Sequence, residues 1–142
     1  MSVNTFKIDL ERGHQVEDEL LQIIQEKYPK AYRHIGYNKD YDLYIPEIEK
    51  SVEVKSDFKS KYTGNIVVEI EFNGKPSALM TTKADYWVWN DGFDFTWFKP
   101  QDIMKCLLLE NIPQKQFVAK GDSKSKRAYL VKKEILYKYK IL

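Results

Sequence analysis

Asp42 is followed, after ten intervening residues, by Glu53-Val54-Lys55. Side chains two apart on a strand share a face, so in an extended segment Glu53 and Lys55 stand side by side while Val52 and Val54 turn to the core. If the stretch carrying Asp42 runs alongside, its carboxylate approaches Glu53, and two carboxylates brought together repel unless a cation lies between them. Mg²⁺ suits that position, because it takes oxygen ligands, keeps several waters and is commonly held by one or two carboxylates together with phosphate oxygens. Lys55 can then orient or help deprotonate an attacking water and offset charge growing on a phosphate, while the metal acidifies the water. Glu17 is a separate clue. On a helix it falls on the side of Leu20, Leu21 and Ile24, so it is either a further metal ligand, direct or through water, or a first-turn acid complementing the helix dipole.

Several elements must position these groups. Residues His14 to Tyr28 read as an amphipathic helix with Val16, Leu20, Ile23 and Ile24 inward, closed by Pro29. Tyr41 to Ile45 and Ser51 to Lys55 read as short neighbouring strands, and Ile66 to Phe72 alternates as a third, between turn signals at Thr63-Gly64-Asn65 and Asn73-Gly74-Lys75-Pro76. Thr81 to Asp85 reads as a capped helical turn, with Asp85 a candidate to tie it to the sheet. Strands follow at Tyr86 to Trp89 and Phe93 to Phe98, joined at Asn90-Asp91-Gly92. Pro100 opens a helix to about Glu110, and weaker strands near Gln116 to Ala119 and Ala128 to Val131 flank a basic loop. The order gives an α/β fold, a central mixed sheet flanked by helices.

A helix acid, an Asp at a strand start and Glu-X-Lys on the next strand resemble the pattern of the PD-(D/E)XK nuclease superfamily, here Glu17, Asp42 and Glu53-Val54-Lys55. The family's Pro-Asp is Tyr41-Asp42 in this chain. The segment from Gly74 to Trp87 is similar to one in small phage and bacterial nucleases of that superfamily, some related to Holliday-junction resolvases. The resemblance covers about Gly13 to Phe98. It implies a restriction-endonuclease-like core and a Mg²⁺- or Mn²⁺-dependent phosphodiesterase acting on DNA. In it Asp42 and Glu53 are metal ligands, Lys55 is the catalytic lysine and Glu17 an auxiliary acid. Glu69 and Glu71 alternate with Val68, Ile70 and Phe72. At most one is expected to assist, and Glu71 is the more readily explained as a solvent-facing position.

Lys75, Ser77, Thr81, Thr82 and Lys83 concentrate hydroxyls and ammoniums of the kind that grip a phosphate backbone without reading bases, although ordinary turn and cap chemistry would use the same residues. The overall charge is +2, yet residues 113–142 hold nine Lys or Arg against Asp122 and Glu134, so the remainder of the chain is net acidic. The cluster Lys120 to Arg127, with Lys124, Lys126 and Arg127, suits phosphate contacts and equally suits a solvated loop. The 142 residues, 43% hydrophobic with ten Tyr, seven Phe and three Trp, suit one folded domain, 1–142, with a basic C-terminal segment, and exclude disorder and low complexity.

Cys106, the lone cysteine, lies in an apolar run and serves packing. His14 and His34 have no Cys companions for a zinc site, and Trp87, Trp89 and Trp97 read as core. No apolar stretch approaches a membrane span and the N-terminus lacks a signal-peptide core, so a cytoplasmic protein without membrane contact is expected. The leading expectation is a structure-selective DNA endonuclease resembling a junction resolvase, acting as a homodimer, since two identical sites about a two-fold axis cut two strands most simply. A restriction-like or nicking endonuclease on duplex DNA, and a catalytically silent nucleic-acid-binding module of the same fold, are the alternatives.

Overall fold

The computed structural model describes residues 3–36, 40–118 and 124–141, with side chains from Glu11 onward. Its largest sheet has five strands in the order β1 (Tyr32–Arg33), β2 (Leu43–Ile45), β3 (Lys50–Ser56), β6 (Tyr86–Asn90) and β7 (Phe95–Phe98). β3 and β6 run parallel and the other pairs antiparallel, so the sheet is mixed. Between β3 and β6 the chain forms α2 (Ser60–Thr63), β4 (Asn65–Phe72) and β5 (Lys75–Pro76). β4 does not join the central sheet. It builds a second, antiparallel sheet with β5, β8 (Gln114–Val118) and β9 (Ser125–Lys132) in the order β5-β4-β9-β8, which the single-sheet expectation did not include.

Alternation along β3 sorts the two faces. Val52 joins Leu43, Ile45 and Val88 in a buried cluster with Leu20 and Ile24 of α1 (Val3–Lys27), so α1 covers one face of the central sheet. Trp87, Trp89 and Phe98 point to the other face, where Ile66, Val68, Ile70 and Val131 of the second sheet meet them. Ile103, Cys106 and Leu107 of α3 (Pro100–Leu109) and Leu136 of α4 (Lys133–Leu136) complete this core. The three tryptophans are thus sorted as core and near-core side chains, and the Cys106 thiol, buried as expected, is pushed up to about 11 by loss of water. No helix among the described residues is long and apolar enough to cross a membrane.

Several elements depart from the sequence reading for identifiable reasons. α1 starts eleven residues before His14 because the helix continues through Gly13, where a Cβ would meet nothing within 4 Å. A glycine there costs about 1 kcal/mol relative to alanine but does not break the helix. Ile23 is 52% exposed and not part of the core stripe. The expected helical turn at Thr81–Asp85 does not form; a 3₁₀ turn at Ala78–Met80 precedes it. Thr82 is β-branched, and its hydroxyl oxygen accepts the Ala84 N–H at 3.2 Å, which favours a side-chain-closed turn over a helix. β9 begins at Ser125, so Lys126 and Arg127 are strand residues and not loop residues.

Candidate active site

The β2–β3 register pairs Leu43 with Val52, which sets Asp42 beside Glu53 one position further out. Asp42 is buried although it is an acid, and backbone bonds fix it. Its N–H donates to Val52 O at 2.9 Å, and its Oδ2 accepts the Val54 N–H at 2.7 Å. The Asp42 carboxyl also hydrogen-bonds Glu53. Lys55, two residues along the same face, places Nζ 3.5 Å from Glu53 Oε1 and 4.9 Å from the centroid of the Trp87 ring. Asp42, Glu53 and Lys55 are therefore one cluster, as their spacing suggests.

Burial dominates the electrostatics of Glu53 and pushes its carboxyl up from the ordinary 4.5 to about 7. The Lys55 ammonium pulls it down and the Asp42 charge adds to the rise. Glu53 and Lys55 open onto a cavity of about 200 Å³ whose wall also includes Asp40, Ala78, Thr81, Thr82, Lys83 and Trp87. Thr82 spends its oxygen lone pairs on Trp87 Nε1–H at 2.9 Å and the Ala84 N–H, leaving the hydroxyl hydrogen to donate. Ala78 is held at φ 48°, a conformation alanine rarely adopts, so the wall carries local backbone strain. Asp85 anchors the segment as anticipated, its Oδ2 accepting the Ser51 N–H at 2.9 Å and the Ser51 hydroxyl at 3.1 Å.

Thr81, Thr82 and Lys83 thus share a cavity with Glu53 and Lys55, whereas Lys75 and Ser77 are not in its wall. Ser77 donates to Glu69 Oε2 at 2.8 Å, and Lys126 Nζ lies 4.0 Å from Glu69 Oε1. Glu69 is accordingly engaged on the second sheet and does not line the cavity. Glu71 follows a bulge in the β4–β9 ladder and pairs with Arg127 at 3.2 Å. Lys126 and Arg127 face these acids, and Lys124 lies over the Phe72 ring at 5.7 Å; none of the three lines the cavity. The rest of the basic cluster, Lys120 to Ser123, lies outside the described residues. Glu17 pairs with Arg33 of β1 at 3.4 Å, on a helix that covers the sheet face opposite Glu53.

Among the described residues no three His, Cys, Asp or Glu side chains gather as a metal-holding group, so Glu17 is not joined to Asp42 and Glu53 as a third ligand. The two-carboxylate pair nonetheless fits a hard cation that keeps most of its waters. Both carboxyls offer hard oxygen donors, they hydrogen-bond each other, and burial makes one of them resist ionising. Asp40 and Ala78 line the cavity as well, and the sequence analysis named neither. Nothing in the type or spacing of either residue marks it as lining a site, and only the folded chain brings both to the cavity. No family model matches the sequence, and no curated protein or solved structure matches it either.

Proposed function

We propose that the chain is a Mg²⁺- or Mn²⁺-dependent endonuclease hydrolysing DNA phosphodiester bonds, with a restriction-endonuclease-like core of the PD-(D/E)XK type. The observation that carries this reading is the Asp42–Glu53–Lys55 cluster, two hydrogen-bonded acids and an ammonium, of which Glu53 and Lys55 line a cavity together with Thr81, Thr82 and Lys83. A binding surface for DNA has no use for adjacent acids that repel phosphate; a hydrolytic site does. Asp42 and Glu53 would hold the ion, which when bound supplies Lewis-acid charge and an acidified water.

The chain's own groups account for the rest of the chemistry. Lys55 Nζ, steered by Glu53 and the face of Trp87, donates hydrogen bonds to the scissile phosphate or orients the attacking water, and it offsets negative charge that grows as the bond to phosphorus forms. The Thr82 hydroxyl and the Lys83 ammonium hold the neighbouring backbone phosphate, fixing the strand for in-line attack. Asp42 does not move during this, because its carboxylate is bonded into the β3 backbone. Branched DNA is the preferred substrate and a homodimer the active form, so that two sites cut two strands.

Incubation of the full chain with four-way junction and linear duplex DNA, with Mg²⁺ or Mn²⁺ and with EDTA, tests the proposal. Incision of the junction in preference to the duplex, abolished by EDTA, is expected. No incision of either DNA with either metal refutes it.

A further inference from the structure

Beyond the carboxyl ends of β3 and β6 lies a second cleft of about 470 Å³, which the Glu53 chemistry does not use. Arg12 and Glu19 of α1 stand on one side, and Phe58, Lys61 and Tyr62 of α2 and the turn before it, with Phe93 of the β6–β7 turn, stand on the other. Two of these rings face solvent, Tyr62 at 84% and Phe93 at 66% exposure. Clustered exposed rings are informative where single ones are not.

The rings are held outward by stiff turns. Phe93 follows Asp91, whose buried carboxylate accepts the N–H groups of Phe93 and Asp94 at 2.9 Å each and the Tyr137 hydroxyl at 2.9 Å. Lys133 lies 3.3 Å from the same carboxylate. Tyr62 rides on α2, which Asp57 braces by accepting the N–H groups of Ser60 at 3.1 Å and Val67 at 3.3 Å. Gly92, at φ 96°, lets this loop close on Lys61, since a Cβ there would stand 3.3 Å from Lys61 Cδ. Each ring has a cation over it. Lys61 Nζ is 4.8 Å from the Phe93 centroid and 5.9 Å from that of Tyr62, and the Arg12 guanidinium is 5.9 Å from Phe58. Glu19, the acid in the wall, accepts a hydrogen bond from Gln15 at 3.4 Å.

We infer that this cleft binds unpaired nucleotides of a nucleic-acid strand, bases stacking on Phe93 and Tyr62 while Lys61 and Arg12 take the phosphates. An apolar ligand would leave the cations unused and a simple anion would leave the rings unused; a nucleotide engages both. Binding exchanges the contact between Lys61 and the Phe93 ring for a base on the ring and a phosphate on the ammonium. Aromatic faces interleaved with cations are how proteins hold single strands without reading sequence. Phe58 lies three residues beyond Lys55 in the chain, which puts the cleft near the carboxyl end of the strand that carries the proposed site. The inference rests on that reading only for the link to cleavage, where it names DNA with unpaired bases beside the cut as the substrate class.

The test is fluorescence anisotropy of the full chain in EDTA, with a labelled twelve-residue oligothymidylate, a duplex of equal length and thymidine monophosphate as competitor. The single strand is expected to bind more tightly than the duplex. Phe93→Leu, which keeps apolar bulk without a π face, and Tyr62→Ala are each expected to weaken single-strand binding roughly tenfold. Neither should alter duplex binding, and Lys61→Gln should flatten the salt dependence. The inference is overturned if both ring variants retain single-strand affinity within twofold, if duplex binds as tightly as single strand, or if the mononucleotide competes as well per nucleotide as the oligomer. Cleavage by the wild type with ring variants that bind normally rejects the cleft alone. Ring-dependent binding by a chain that never cleaves rejects the nuclease reading alone.

Discussion

Replacing Glu53 by Gln separates the chemistry of the site from its effect on stability. Folding raises the Glu53 carboxyl from 4.5 to about 7, so the folded state holds this proton more tightly than the unfolded chain does. Between those values the native protein binds the extra proton, and stability must fall as pH rises. The contribution is fully present below about pH 4.5 and is lost as pH climbs through 7. At 1.36 kcal/mol per pH unit, the loss amounts to about 3 kcal/mol. Gln mimics the protonated acid and cannot ionise. The variant should therefore match the wild type near pH 4.5 and be more stable by about 3 kcal/mol at pH 8, while showing no cleavage. Urea denaturation at pH 4.5, 6, 7 and 8, in EDTA, measures the two profiles. Millimolar Mg²⁺ should close the gap at pH 8 by stabilising only the wild type. Parallel profiles for the two proteins across this range would refute the reasoning, because they would mean that Glu53 ionises in the fold as easily as in water.

Asp42→Asn keeps an oxygen acceptor for the Val54 N–H, so thermal denaturation should register a change within about 1 kcal/mol while cleavage is lost. Asp42→Ala strands that N–H and should cost roughly 1–3 kcal/mol in the same measurement. Lys55→Ala is expected to lower the single-turnover cleavage rate by about 10²–10³-fold with DNA affinity retained, and an equal loss of affinity would reduce Lys55 to a phosphate anchor. Burial opposes ionisation of Asp91, but bonds from the Asp94 and Phe93 N–H groups, Tyr137 and Lys133 overcome it and hold its carboxyl down at about 2 instead of 3.8. Asp91 thus stabilises the fold by about 2 kcal/mol above pH 4, and this is lost as pH falls through 2. Asp91→Asn should be less stable at pH 6 and converge with the wild type in acid denaturation near pH 2.

The legibility of this chain in its sequence depended on the range of the interactions concerned. β3 was plain because Val52, Glu53, Val54 and Lys55 alternate strictly, and the pairing with β2 followed from proximity in sequence. The hairpin of β6 and β7 was equally local. What escaped was the division into two sheets. Ile66, Val68 and Ile70 would suit a strand of either sheet, and only the distant partner β9 decides which one. The same nonlocality hid the pairing of Glu69 and Glu71 with Lys126 and Arg127, since cations read as a free basic loop became rungs opposite acids some 55 residues earlier. Thr81, Thr82 and Lys83 were recognised by their chemistry, yet the helical turn assigned to them was wrong. A threonine hydroxyl that closes its own turn competes with helix formation, and composition does not reveal which prevails.

The bond from the Val54 amide to the Asp42 side chain makes an acidic group serve as a rung of the β2–β3 ladder. A slip of one residue between these strands would rotate Glu53 and Lys55 to the opposite surface and break that rung at the same moment. Assembly of the acid pair and closure of the hairpin are consequently a single event in folding. A chain that misaligns here forfeits backbone bonding along with its chemistry, so partially ordered forms with a competent site are disfavoured from the outset.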